Sequence, residues 1–414
     1  MEIKEINGIL TLKLDMIQTV ALSTLVLFLG YFLKRKWSIL DRFNIPAPVV
    51  GGLTFATLSL ILRQSGLFAF EFNTLLQSPF MIAFFTTVGL TASFSLLKIG
   101  GPQVVIFWVL ASLLAFFQDL IGILLTKIMG VNPFLGLICG SVTMTGGHGT
   151  GLAFGPVFES LGMKGASTYA VAAATFGLVS GGLIGGPVGT LLIKKKNLKS
   201  ERFYLKGKKE VVESIEEIAE EKDRKIGLSA YEFLKYMTII LSCMWVGSII
   251  SKGFESLKIT LPSYIGSMIF SAFLRNFFDL TRIIKISQNY VELLGSISLS
   301  IFLSMALMSL KLWELFELAI PMLVILIFQV AIMALYAIFV TFQFMGRDYD
   351  SAVMASGHCG FGLGATPNAI ANMEALVEKF GPAPRAFLVI PIVGAFFIDF
   401  TNALIITFFT NLLK

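Results

Sequence analysis

Charged residues are scarce in this sequence, and their scarcity excludes an ordinary soluble domain. Asp, Glu, Lys and Arg make up 14% of the 414 residues, whereas hydrophobic residues make up 56%. Soluble domains average about 25% charged residues. Apolar runs of about 20 residues, the length that crosses a bilayer as a helix, recur along the whole chain. The composition therefore predicts a membrane protein with many helical spans, in contact with the lipid bilayer throughout.

Cysteine and histidine are also scarce, which disfavours metal chemistry and disulfide scaffolds. Three cysteines, Cys139, Cys243 and Cys359, lie in apolar or glycine-rich stretches without CxxC spacing, so they indicate neither a disulfide framework nor a zinc site. The only two histidines, His148 and His358, have neither the HExxH arrangement nor carboxylate or cysteine partners at metal-ligand spacing; the cysteine next to His358, Cys359, is a single residue and does not make a site. We therefore expect no catalytic residues and no enzymatic activity.

The net charge of +6 does not indicate a nucleic-acid partner. About a third of the lysines and arginines lie in residues 194–225, where they alternate with acidic residues and leave no basic recognition face. The other cations lie in short loops between apolar runs, which is typical of residues that set membrane topology. We therefore exclude nucleic-acid binding.

Ten apolar runs are candidate spans, five in each half of the chain. In the first half they cover residues 17–33, 48–62, 79–97, 104–125 and 167–193. In the second half they cover residues 233–250, 261–277, 291–310, 318–342 and 386–413. The chain is thus divided into a first membrane repeat (residues 1–193), a charged linker (residues 194–230) and a second membrane repeat (residues 231–414). Within the linker, the helical spacing of Val211, Ile215 and Ile218 predicts a short surface helix.

Basic loops predict the orientation, because short loops rich in Lys and Arg stay in the cytoplasm. The loops after the first, third and fifth runs are basic. All three lie on one side only if the glycine-rich segment 132–156 enters the bilayer and leaves on the same side. The basic loops of the second half likewise lie on one side only if segment 350–373 does not cross the bilayer. Because five spans per half is an odd number, the second repeat then runs in the opposite direction to the first. We predict an all-α membrane protein of two inverted repeats, each with one re-entrant glycine-rich loop, with both termini outside and the linker in the cytoplasm.

The two glycine-rich segments predict a binding site at the membrane midplane. Irregular backbone in the hydrocarbon region of the bilayer persists only when it is buried in protein or lines a water-filled cavity. Backbone N–H groups there can hold carboxylates, whereas carbonyl and hydroxyl oxygens can hold a small cation. The predicted substrate-binding residues are Gly146, Gly147, His148, Gly149, Thr150, Gly357, His358, Gly360, Gly362, Gly364, Thr366, Asp399 and Asn402.

Acidic residues in apolar runs need a compensating partner. Asp399 would cost at least about 2.5–3.5 kcal/mol at the bilayer centre. It either faces a substrate ammonium or coupling cation, together with Asn402 one helical turn on, or it makes an interhelical hydrogen bond. For Asp119 the functional and structural interpretations stay open. His148 and His358 either shape the loops by hydrogen bonding or relay protons.

Other unusual residues favour packing or topology. Gly181, Gly182, Gly185 and Gly186 have the spacing of a close-packed helix face. Arg385 precedes the last run and is interpreted as a loop residue that sets topology, with a substrate carboxylate partner as the alternative.

Several motifs together resemble the bacterial sodium/glutamate symporters. They are Thr145-Gly146-Gly147-His148-Gly149-Thr150-Gly151, the segment from Gly357 to Pro367, Ala369-Ile370-Ala371-Asn372-Met373, Gly394-Ala395-Phe396-Phe397-Ile398-Asp399, Ile45 to Gly52 and Met305 to Leu315. The resemblance covers nearly the whole chain. By motif matching it assigns the glycine-rich signatures to Gly146–Gly151 and Gly357–Pro367, and the acid to Asp399.

The resemblance implies a homodimeric carrier in the bacterial inner membrane that takes up L-glutamate with sodium as the coupling ion and without an organic cofactor. Candidate sodium ligands are then Thr145, Ser356, Asp399 and Asn402. Alternatives are a proton-coupled carrier of another small dicarboxylate or amino acid, a passive channel, and an intramembrane enzyme that uses His148, His358 and Asp399.

Overall fold

The computed structural model describes residues 2–6, 9–200, 229–256, 262–316 and 318–414. The helices of the first half are α1 (Met16–Lys36), α2 (Ser38–Arg42), α3 (Ala47–Gln64), α4 (Gln77–Thr91), α5 (Ser95–Met129), α6 (Pro133–Leu137), α7 (Gly147–Ser160) and α8 (Ala166–Lys195). Those of the second half are α9 (Ala230–Ser256), α10 (Tyr264–Thr281), α11 (Gln288–Met308), α12 (Ala319–Tyr336), α13 (Tyr349–Gly362), α14 (Thr366–Phe380), α15 (Pro384–Ile392) and α16 (Ile398–Leu412).

Short irregular helical turns extend three of these elements. Helix α6 continues into a π-helical turn at Ile138–Val142, α12 into a π-helical turn at Ala337–Thr341 and a last turn at Phe342–Phe344, and α15 into a π-helical turn at Val393–Phe397. A single 3-10 turn, Leu312–Phe316, lies between α11 and α12. Such π-helical turns are frequent at functional sites.

Seven of the described helices are long and apolar enough to cross a membrane. They cover Met16–Lys36, Ala47–Gln64, Gly101–Met129, Ala166–Lys195, Ala230–Phe254, Gln288–Met308 and Ala319–Phe344. The remaining predicted spans are also helical, but α4 ends at Thr91, α10 contains Arg275 and Asp279, and the last run is interrupted between α15 and α16. The protein is therefore a multi-pass helical membrane protein.

The expectation of an all-helical chain is wrong near the N-terminus. Strand β1 (Glu2–Ile6) pairs antiparallel with β2 (Ile9–Leu14), and β2 pairs in parallel with β3 (Ala69–Phe72) in the connection between α3 and α4. The β2 sequence, ILTLKL, alternates apolar and polar residues, which suits a strand at the edge of the apolar region. Helix α1 follows directly, because Asp15 and Gln18 form a capping box.

Glycine contacts bring the first two long helices of each half together. A Cβ atom on Gly30 of α1 or Gly51 of α3 would overlap the main chain of the other helix. The equivalent helices of the second half, α9 and α10, cross in the same way at Gly247 and Gly266. Both halves therefore contain the same backbone-to-backbone crossing, which only residues without a side chain allow.

The charged linker is described only at its edges. Helix α8 ends at Lys195 and α9 begins at Ala230, whereas residues 201–228 lie outside the described part of the chain. The predicted surface helix with Val211, Ile215 and Ile218 falls within that part, so it stays a prediction.

Candidate functional site

The first glycine-rich segment is a helical hairpin. The expectation of an irregular loop is therefore wrong for most of the segment, because the irregular part is short. Its first arm runs from Pro133 to Val142 with one non-helical residue, Gly140, and its second arm is α7. Only four residues, 143–146, form the turn. The stacked rings of Phe134 and Phe158, 5.3 Å apart, place the start of the first arm beside the end of the second. The chain thus returns to the end at which it entered.

The second glycine-rich segment is a hairpin of two longer helices, α13 and α14, joined by residues 363–365. At its open end the Tyr349 hydroxyl donates to the Gly381 carbonyl oxygen at 2.5 Å. Nearer the turn, Gly360 packs directly on the main chain of Ala369. Glycines are poor helix formers, but here they allow two helix backbones to touch, and this packing outweighs their low propensity.

The two hairpin turns meet at Gly147 and Gly364. A Cβ atom on Gly147 would lie 2.8 Å from the Gly364 carbonyl oxygen. Gly147 also has a φ of +62°, in the left-handed region that favours glycine. Both space and backbone conformation therefore require glycine at this point.

A cavity of about 200 Å³ opens where the turns meet. It collects nine of the predicted site residues: Thr145, Gly146, Gly147, His148, Gly149, Thr150, Gly364, Thr366 and Asp399. Helices α7 and α14 both begin at its wall, at Gly147 and Thr366. The positive ends of two helix dipoles thus face one small cavity, which favours an anionic group inside it.

Asp399 faces the same cavity without a protein partner. It lies at the start of α16, directly after the π-helical turn, and its side chain is partly exposed. No described residue donates a hydrogen bond to Asp399 or pairs with it as a cation. The cavity therefore presents a carboxylate that is free to accept an ammonium group or a metal cation.

Threonine hydroxyls and one histidine complete the polar lining. His148 Nε2 lies 3.0 Å from the Thr175 hydroxyl of α8, so the ring is held by a neighbouring helix. Thr366 donates to the Gly394 carbonyl oxygen at 2.8 Å. Thr145 donates to Gln118 Oε1 at 2.7 Å. These bonds tie the cavity wall to α8, α15 and α5.

The other predicted residues lie behind this wall. His358 is fully buried among Phe107, Phe361 and Tyr336, and its Nδ1 lies 2.8 Å from the Thr341 hydroxyl. Ser356, Gly357, Gly360, Gly362 and Asn402 also lie outside the cavity lining, in helix contacts. The two histidines occupy equivalent positions in sequence, but only His148 reaches the cavity.

A glycine ridge on α8 holds the second hairpin. Gly177 faces the carbonyl group of Leu363, and Gly181 faces the carbonyl groups of Cys359 and Gly360. Gly185 faces the carbonyl group of Ser356. The predicted packing face thus includes Gly181 and Gly185, whereas a Cβ atom on Gly182 would make only ordinary contacts with Phe43 and Asn368, and one on Gly186 would meet no atom within 4 Å. The ridge follows a spacing of four residues, which aligns side chains along one helix face.

Gln118, which no sequence motif indicated, links the two hairpins. Its Oε1 accepts from Thr145 in the first turn, and its Nε2 donates to the Gly362 carbonyl oxygen of the second hairpin at 2.8 Å. Gln329 of α12 donates to the Gln118 carbonyl oxygen at 2.7 Å. Both glutamines are fully buried in apolar runs at equivalent positions of the two halves, and this was the signal that could have identified them.

Asp119 also lies closer to the site than its sequence position suggested. Its carboxylate accepts from the Ser141 N–H at 2.7 Å and the Ser141 hydroxyl at 2.9 Å. Ser141 belongs to the first hairpin. The sequence left the role of Asp119 open, because distance along the chain does not show which helix faces pack together.

A second, larger cavity of about 670 Å³ lies beside the first along the same helices. On α4, Met81 lines the large cavity and Phe85 the small one; on α7, Ala153 lines the large cavity and Gly149 the small one. The two residues on each helix are four positions apart, which is about one helical turn. Phe85, which lines the small cavity, stacks on the Tyr264 ring with centroids 3.8 Å apart, and Phe154 packs edge-on against Tyr264.

Arg385 lies at the open end of the second hairpin, away from the cavity. Its guanidinium pairs with Asp348 at 2.5 Å, and its backbone N–H donates to Asp350. Burial opposes ionisation of Asp348, but hydrogen bonds from Ser351 and Arg385 hold its pKa below the usual value. Arg385 therefore has a structural partner of its own.

A multi-pass helical protein with two helical hairpins meeting at a small cavity, which polar and apolar residues line together, has the construction of a membrane transporter. Comparison with known proteins agrees. The family model described as Sodium/glutamate symporter matches residues 12–382. The sodium/glutamate symporter of Haemophilus influenzae is 43% identical over 387 residues, covering 93% of this chain and 95% of the relative. That of Escherichia coli is 43% identical over 400 residues, covering 96% and 98%. The chain belongs to the sodium/glutamate symporter family.

Among solved structures, the sodium proton antiporter MjNhaP1 from Methanocaldococcus jannaschii aligns over 97% of this chain and 98% of that one. The two structures align with a TM-score of 0.43 at 15% identity.

Proposed function

We propose that this protein is a secondary transporter of the bacterial inner membrane that imports L-glutamate together with sodium ions. The observation that carries the proposal is the small cavity between two helix N-termini and the unpartnered carboxylate of Asp399. Its volume of about 200 Å³ suits a small solute, since drug-sized ligands need about 300 Å³ or more. The symporter names of the relatives supply the solute and the ion.

Each group of glutamate has a complementary partner in the cavity. The carboxylates bind at the N-termini of α7 and α14, where N–H groups and helix dipoles favour negative charge. The hydroxyls of Thr150 and Thr366 contribute hydrogen bonds, and Asp399 neutralises the ammonium group or a sodium ion. Because Thr145 lies at the same wall, Thr145 and Asp399 are the sodium candidates that can share a site with the solute.

The architecture supports two inverted repeats, residues 1–193 and 231–414, with the linker in the cytoplasm and both termini outside. The hairpins enter the bilayer and return, one from each face, so that their turns meet at depth. The repeated glycine crossings of α1 with α3 and of α9 with α10 support the internal repeat. The chain forms a homodimer, as the family resemblance implies.

Alternating access requires a barrier on each side of the solute. We take the stacked rings of Phe85 and Tyr264 as one barrier, because Phe85 lines the small cavity and lies about one helical turn from Met81, which lines the large one. We place the solute path along α4, α7 and α11, through the large cavity. Opening of this aromatic layer exposes the small cavity to that side.

A sodium-jump experiment tests the function. Purified protein in vesicles should accumulate labelled glutamate when external potassium is replaced by sodium, and the membrane potential adds about 2.3 kcal/mol per charge per 100 mV. Saturable exchange of internal for external glutamate should follow, which a passive channel does not give. Uptake that follows a pH jump without sodium would favour the proton-coupled alternative, and accumulation without any sodium gradient would refute the coupling.

A further inference from the structure

Asp119 is a buried acid that forms no ion pair within the part of the chain that the structure describes. It lies on α5, about 6 Å beyond the middle of the span Gly101–Met129 at 1.5 Å per residue, and its side chain is 0% exposed. Its two carboxylate oxygens accept hydrogen bonds from Ser141 alone. No lysine, arginine or histidine among the described residues forms an ion pair with it. A charge in this position needs a cation, because two hydrogen bonds do not replace its hydration.

The neighbouring residue, Asn402, has an unused oxygen. Its Nδ2 donates to the Ser141 carbonyl oxygen at 3.0 Å, which places the amide beside the same serine that holds Asp119. The Asn402 Oδ1 atom is buried, in a side chain 1% exposed, and has no hydrogen-bond partner among the described residues. An orphaned buried carbonyl oxygen costs about 1–3 kcal/mol, and a cation would satisfy it.

The backbone at this point is irregular. Ser141 lies in the π-helical turn Ile138–Val142, and the preceding Gly140 has φ and ψ of −90° and −140°, outside the helical range. Gly140 also brings the chain against Asp119, since a Cβ atom there would lie 2.6 Å from Asp119 Oδ1. Irregular backbone beside unpaired oxygens is the usual setting of sodium sites in membrane carriers.

We propose that Asp119, Ser141 and Asn402 form a sodium site inside the protein, separate from the solute cavity. The site would offer carboxylate, hydroxyl, carbonyl and amide oxygens, which are the ligands that hard cations prefer. None of the three residues lines the cavity. This inference rests on the proposed sodium-coupled transport and assigns one of its ions.

The site has a short connection to the solute. Gln118, adjacent to Asp119, accepts the hydroxyl of Thr145 in the cavity wall. Ser141 and Thr145 belong to the same hairpin, four residues apart. A sodium ion that holds Asp119 against Ser141 therefore also fixes the turn whose N–H groups face the solute, which links ion occupancy to solute affinity.

The test measures ion binding without transport. Purified protein in detergent is titrated with NaCl at constant ionic strength, with choline chloride as the balance, and its unfolding temperature is recorded. The wild type should be stabilised by sodium, because a ligand that binds only the folded state raises stability. Asp119→Asn should reduce the sodium-induced shift to what an ion at Thr145 and Asp399 contributes, and Asn402→Ala should weaken the apparent sodium affinity at least about tenfold.

A matched control is Asp279→Asn, which removes an ion-paired acid on α10 outside both cavities and should keep the full sodium shift. If Asp119→Asn fails to fold, the Asn402→Ala titration decides alone. An unchanged sodium shift in a folded Asp119→Asn variant overturns the proposal, as does stabilisation of the wild type by acid and not by sodium. Failure of sodium-driven glutamate uptake by the wild type would instead refute the proposed function.

Discussion

Replacing Asp399 by Asn gives the most direct test of the solute cavity. The change keeps the size of the side chain and removes one charge. A carboxylate and a cation about 4 Å apart interact by about 4 kcal/mol at an effective dielectric constant of about 20. That energy corresponds to a loss of about a thousand-fold in affinity or in kcat/KM. We therefore expect uptake of glutamate by Asp399→Asn to fall below detection in ordinary vesicle assays.

The same structure predicts that the variant stays folded. Asp399 accepts no hydrogen bond from a described residue, so its replacement breaks no internal contact. A charge removed from the membrane interior relieves up to about 3 kcal/mol of desolvation. The unfolding temperature in detergent should therefore stay the same or rise.

Uptake and stability must be measured on the same preparations to separate the two effects. Initial rates of sodium-driven glutamate uptake are compared in vesicles with equal protein content, and unfolding is followed in detergent. Asp279→Asn provides the contrast, because its carboxylate pairs with Arg275 at 3.1 Å outside the cavity; it should retain uptake. A kcat/KM within a few-fold of wild type for a folded Asp399→Asn variant would show that this carboxylate does not face the solute.

Further predictions concern the hairpins, the aromatic layer and the topology. Gly147→Ala should destabilise the protein by about 1–2 kcal/mol for its positive φ alone and reduce uptake, whereas Gly186→Ala, which meets no atom within 4 Å, should change neither. Equal behaviour of the two would contradict the contact at Gly364. Phe85→Ala should increase modification of Thr150→Cys by a charged thiol reagent about tenfold or more; an unchanged rate would mean that another barrier closes the cavity. Alkaline phosphatase fused to the C-terminus should be active, because that end is predicted to lie outside.

Helix positions were predictable from the sequence because apolar runs of spanning length leave few alternatives. The runs 17–33 and 167–193 correspond to α1 and α8 within three residues at each end. The breaks were not predictable. The run 79–97 divides after Thr91, where α4 ends, and the last run is interrupted by the π-helical turn Val393–Phe397. Hydropathy averages over such breaks, since an apolar residue counts equally on either side of an irregular turn.

Candidate site residues were predictable where a glycine-rich composition indicated unusual backbone. Gly147 and Thr150 belong to a glycine-rich segment that no lipid-facing helix would contain, and both line the cavity from the start of α7. Gln118 and Asp119 were harder to identify, because a single polar residue in an apolar run does not reveal which neighbour it bonds. Their partners, Thr145 and Ser141, are more than 20 residues away along the chain. Only the packing of α5 on the first hairpin relates them.

The two hairpins differ in what their glycine-rich segments contribute to the cavity. Both contain a histidine at the same place, yet His148 reaches the cavity and His358 is enclosed by aromatic rings. The second hairpin is longer and lies against the glycine ridge of α8, so most of its glycines contact helices. The acids Asp119 and Asp399 flank the first hairpin from α5 and α16. Charge is thus concentrated around one turn, while the other supplies a helix N-terminus and a rigid wall.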